Sequence, residues 1–184
     1  MTPQEVQELI QRYLADANAE NATGTHRGLV LVWASIIDDV LMRMLNEHFV
    51  ALNPRQRDAL FGPNGPLNEF SSRTKMLRAL GILHSDEVAV IDDLRRIRNK
   101  FAHALGISLN EPELSLQCNN FGNTMTGEMG IGDPKLKFSG GCGSLLMLLI
   151  NRLSRITRAA GLPDTRELPE RAYGTPDGNG GGPL

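Results

Sequence analysis

The chain has little of what several function classes require. Its two cysteines, Cys118 and Cys142, stand far apart in sequence and in no C-x-x-C pattern, so no zinc site follows from them. His26, His48 and His84 show no metal-ligand spacing. No metal and no cofactor is expected. An apolar run such as Leu145 to Ile150 is too short to cross a bilayer, which argues against a membrane partner. The opening Met1-Thr2-Pro3-Gln4-Glu5 lacks a basic stretch followed by an apolar one and does not read as a signal peptide. The compartment implied is cytoplasmic, with reduced thiols. A net charge of −2 and a pI near 6.1 give no global pull toward nucleic acid.

The 184 residues, 41% hydrophobic and 22% charged, have the size and balance of one globular domain with a tail. The tail from Gly161 holds six glycines and four prolines in 24 residues, a composition that predicts disorder. The expected organisation is a helical domain over 1–160 and a disordered tail over 161–184.

Helical periodicity dominates the domain. Thr2-Pro3-Gln4-Glu5 has the form of a capping box, and Val6, Leu9, Ile10, Tyr13, Leu14 and Ala17 follow at helical spacing. Thr25 is placed to cap a second helix whose stripe runs from Leu29 through Trp33, Ile37, Val40 and Met44 to Leu45. Its first half is apolar nearly all round, which marks a central helix with Trp33 in the core. Asp38 and Asp39 interrupt that surface. A short helix over 54–61 precedes Phe61-Gly62-Pro63-Asn64-Gly65-Pro66-Leu67, a loop by composition, ordered or mobile. Helices follow over 69–80, with Phe70, Leu77 and Leu80 inward and Gly81 at the C-cap, and over 86–105, capped by Ser85, with Val88, Ile91, Leu94, Phe101 and Leu105 inward. Residues 119–143, rich in asparagine and glycine, predict an irregular insertion, a hairpin or a long loop. A last helix is predicted over 144–160. The fold class is therefore all-α, a helical bundle built on two long antiparallel core helices.

Place Asn99 at zero on a wheel of about 100° per residue. His103 then falls about 40° away, and Asp92, Arg95 and Arg96 within about 60°, in one polar stripe. Arg98 lies about 100° aside, at the edge of the apolar face. There it needs a buried carboxylate, and Asp38 or Asp39 is the natural partner. In the chemical reading, His103 would take a proton near neutral pH, Arg98 would meet phosphate charge and Asn99 would orient either group. In the structural reading, Arg98 joins two helices and His103 caps a helix C-terminus; the third reading is a small-ligand or anion site.

Weaker signals favour plain roles. Arg152, Arg155 and Arg158 read as a solvated face rather than a phosphate track. Gly140-Gly141-Cys142-Gly143-Ser144 reads as a flexible linker, because it lacks the lysine of a phosphate loop. Cys142 reads as packing.

Five segments in order resemble the mannitol-operon repressor family. They are His26-Arg27-Gly28, Ile37-Asp38-Asp39-Val40-Leu41, the loop Phe61 to Leu67, Phe70-Ser71-Ser72-Arg73 with Ala79-Leu80-Gly81-Ile82, and Ile97-Arg98-Asn99-Lys100-Phe101-Ala102-His103. The resemblance spans about 26–118. It implies an all-helical regulator without a helix-turn-helix, acting through a protein partner. Neither a helix-turn-helix signature nor a basic recognition helix stands out, which argues against direct sequence-specific DNA binding. Arg98-Asn99-x-x-x-His103 is also similar to the R-N-x-x-x-H pattern of HEPN domains. That similarity implies a metal-independent endoribonuclease, a toxin or defence component, with RNA as partner, Arg98, Asn99 and His103 catalytic, and Asp38, Asp39, Arg95 and Arg96 supporting. One such helix supplies few groups, so a homodimer joining two motifs is expected.

Overall fold

The computed structural model describes residues 2–49, 51–127 and 130–160. The expected disordered tail, 161–184, lies outside them. The described residues form helices and connecting turns, with no strand among them. The order is α1 (Pro3–Thr23), α2 (His26–His48), α3 (Pro54–Phe61), α4 (Phe70–Ala79), α5 (Ser85–His103), α6 (Pro112–Thr126) and α7 (Pro134–Ala160).

Local chemistry starts these helices. Thr2 and Glu5 close a capping box on α1, and Thr25 Oγ1 accepts from Gly28 N at 3.0 Å to start α2. Asn53, with Pro54 behind it, does the same for α3. The α5 cap is His84, not Ser85: His84 N donates to Glu87 Oε2 at 2.7 Å. Leu80 is the C-cap of α4, and Gly81 follows it at φ +71. Gly81 N bonds Arg78 O and Ile82 N bonds Leu77 O, the paired bonds of a Schellman turn.

The core lies around α2. Leu29, Val30, Ile37, Val40, Leu41, Met44 and Leu45 are fully buried there, against α1, α4, α5 and α7. Burying each such side chain stabilises by roughly 1.5–3 kcal/mol. The first turn of α2 meets the last turn of α5: Arg27 donates to Ala104 O, while His26 Nδ1 bonds Ser108 Oγ and accepts from Leu109 N. The start of α2 therefore lies against the end of α5. Further along, Leu31, Ala34, Ser35 and Asp38 of α2 line one groove with Arg95, Arg98 and Asn99 of α5. The two helices are not the whole core, because α2 packs more extensively on α7 than on α5.

That difference is the main correction. The irregular insertion expected over 119–143 is instead α6, a turn, and the start of α7. Leu114, Cys118 and Phe121 are buried at helical spacing along α6, a period masked in the sequence by asparagine and glycine. The glycines mark close packing. A Cβ on Gly122 would sit 2.5 Å from Lys137 O, and one on Gly141 2.6 Å from the Phe121 ring and 3.2 Å from Gly122 Cα. Gly140 to Ser144 is therefore helix interior and not a linker. The asparagines hold the turn back against α6: Asn119 Oδ1 accepts from Gly132 N at 2.7 Å, and Asn123 Nδ2 donates to Gly130 O at 3.0 Å.

Two side chains expected inward are not. Leu80 is 38% exposed and Leu105 is 92% exposed, because α5 ends at His103 and Leu105 falls in the following turn. The glycine–proline loop is ordered. Leu67 is buried, Leu67 N bonds Leu60 O at 2.9 Å, and Asn68 Nδ2 reaches Pro63 O at 2.6 Å. A side chain on Gly65 would meet Leu60 O at 2.4 Å, so this tight turn requires glycine.

Candidate functional site

A groove of about 420 Å3 opens between the middle of α2, the entry to α4 and the second half of α5, a size that suits a small ligand or an inserted side chain. From α2 it takes Leu31, Ala34, Ser35 and Asp38. Asn68, Glu69, Phe70 and Ser71 form a second wall, and Arg95, Arg98 and Asn99 the third.

Four of the residues singled out in the sequence thus come together: Asp38, Arg95, Arg98 and Asn99. The other three do not. Asp39 points to the α1 side, where its Oδ2 accepts from Tyr13 Oη and from Arg43 Nε at 2.9 Å. Burial first, then the hydrogen bond to Asp39, pushes the Tyr13 hydroxyl up to about 12. Arg96 is exposed and pairs with Asp93 at 2.8 Å. His103 is exposed at the last residue of α5, one turn beyond Asn99, and does not line the groove.

The buried pair expected of Arg98 with Asp38 or Asp39 is overturned. Arg98 is exposed, and its Nη1 donates to Asn99 Oδ1 at 3.0 Å. Asp38 belongs to Arg73, whose side chain is 10% exposed. Arg73 also donates to Leu67 O at 2.9 Å and Asn68 O at 2.8 Å, fastening the loop, α4 and α2 together. Arg73 was visible in sequence as the last residue of Phe70-Ser71-Ser72-Arg73. Its signal was a cation one turn from the inward Phe70 and Leu77, where a buried arginine needs a partner. Ser35 and Asn68 gave no sequence signal.

Elsewhere, Arg152 is not part of a solvated face. Its guanidinium holds Glu87, itself 8% exposed, at 2.6 and 2.9 Å. Cys118 and Cys142 are both buried, and burial raises both thiols, Cys118 to about 12. That is the condition of unreactive packing residues. Among the described residues no cluster could hold a metal ion, and no helix is long and apolar enough to cross a membrane.

No family model and no curated protein matches the chain by sequence. Its fold is similar to that of a chain in the X-ray structure of the MtlR–HPr complex from Escherichia coli, with a TM-score of 0.59 and 16% identity. The match covers 82% of this chain and 99% of that one, so the two share an all-helical architecture over nearly the whole of the solved chain.

Proposed function

We propose that this chain is a regulatory interaction protein of the mannitol-operon repressor type, cytoplasmic, which acts by binding a protein partner and not by reading DNA with a helix-turn-helix. The observation that carries this reading is the shared fold with a chain of the MtlR–HPr complex, together with the five sequence segments described above. HPr is the first partner to test. Titrating purified HPr into the protein in a calorimeter should give saturable binding. A flat isotherm from folded protein would remove HPr as the partner. The homodimer belongs to the same reading, and a sedimentation mass of a single chain at micromolar concentration would remove it.

A second reading is favoured by one observation: Arg98 and His103 are both exposed on α5. Under it the chain is a HEPN-type, metal-independent endoribonuclease, with Arg98 meeting phosphate charge and His103 moving the proton of the 2′-hydroxyl. Because His103 stands outside the groove that holds Arg98, a second copy would have to complete the site. Incubation of total RNA with wild type and His103→Ala separates the readings. Equal turnover by the two proteins dismisses the enzyme.

A further inference from the structure

The groove is asymmetric in its hydrogen-bonding capacity. Its carboxylate on α2, Asp38, is already engaged by Arg73. Of the cations, Arg95 uses only its Nε, on Asp92 at 3.1 Å, which leaves its terminal nitrogens open. Arg98 has no carboxylate partner among the described residues, since its bond goes to the Asn99 oxygen. That bond leaves the Asn99 amide nitrogen unused, and the exposed Ser35 hydroxyl of α2 has no partner among the described residues either. On the facing wall, Glu69 is the N-cap of α4 but makes no side-chain capping bond, so the first backbone N–H groups of α4 add to the donors. Against these stands Glu69, an exposed carboxylate with no cation partner among the described residues, accepting from Ser71 Oγ at 3.4 Å.

We infer that this groove binds the oxyanion group of a small molecule, a phosphate monoester or a carboxylate, held by Arg98 and Arg95 with Asn99 and Ser35. Open donors that outnumber the one open acceptor, Glu69, favour a ligand rich in acceptors, and guanidinium groups match phosphate and carboxylate oxygens in pairs. The floor of Leu31, Ala34 and Phe70 gives the ligand's carbon body an apolar surface. The site shares Arg98 and Asn99 with the ribonuclease reading but needs neither His103 nor a second copy. It also extends the partner-binding reading without depending on it.

The test is an amide NMR titration of the full chain at constant ionic strength, with inorganic phosphate, acetate or a short single-stranded RNA as separate probes. Phosphate or acetate should shift resonances around Ser35, Ser71 and Asn99 along a saturating curve. Arg98→Gln should weaken that binding by about tenfold, as for loss of a charged hydrogen bond. Glu69→Gln should tighten it, and His103→Ala should leave it unchanged. Arg98 and Glu69 are exposed, so both variants should fold, which their own spectra verify. Shifts that never saturate, or that are equal in wild type and Arg98→Gln, overturn the inference. So does a response to RNA with none to phosphate or acetate, which would return the groove to the nucleic-acid reading. Because no protein partner is added, a failed titration leaves the HPr experiment standing.

Discussion

Arg73 of α4 and Asp38 of α2 form the ion pair that places the groove. The Arg73 guanidinium reaches the Asp38 carboxylate and the carbonyls of Leu67 and Asn68 at once. Replacing Arg73 with alanine strands a partly buried carboxylate and two carbonyls. The cost should be about 2–3 kcal/mol, at the low end for a broken buried pair, because the Asp38 side chain is 31% exposed. Arg98→Ala should stay within about 0.5 kcal/mol of wild type, the usual surface range. Urea titrations of the two variants check the assignment, and a larger loss for Arg98 than for Arg73 would reverse it.

The glycines of α6 and α7 should divide by position. Gly122→Ala and Gly141→Ala push a Cβ into Lys137 O and the Phe121 ring, and each should destabilise by about 1–3 kcal/mol through overpacking. Gly143 has nothing within 4 Å of its Cβ position. There alanine should add about 0.4–1 kcal/mol by restricting the unfolded chain. Thermal melts should order the three with Gly143→Ala highest, and equal melting temperatures would show that the α6–α7 crossing is looser than described.

Alkaline pH should weaken the α1–α2 contact. Tyr13 is raised from 10.0 to about 12, so the folded state holds its proton more tightly than the unfolded one. The contribution is complete below about pH 10 and disappears as pH rises toward 12. Tyr13→Phe should abolish that part of the pH dependence, read as unfolding free energy from pH 9 upward. An identical alkaline slope in the variant would assign the loss to other groups.

The two thiols should be silent in the folded protein. Both are buried and raised, and the thiolate is the reacting form. Alkylation at pH 8 should label neither Cys118 nor Cys142 until denaturant is added, when mass spectrometry should find both labelled. Rapid labelling of either one in native buffer would show that α6 and α7 open.

The sequence by itself determined where most helices lie and which faces they bury. Capping pairs such as Thr2 with Glu5, and stripes such as Leu29 to Leu45, act within a few residues of each other. Their physics is local and legible. It also set Arg95, Arg98 and Asn99 side by side, because the three share a turn of α5.

Tertiary structure alone decided the rest. Gly122, Gly141, Asn119 and Asn123 are turn formers by local preference, yet they sit in helices. The glycines let α6 and α7 approach, and the asparagines tie down the connecting turn. Neither gain exists before the two helices meet. The partner of Asp38 was likewise a matter of distance in space: Arg73 wins over Arg98 because α4 and its loop seal that side of α2. Arg98 is left in the groove with its charge unspent.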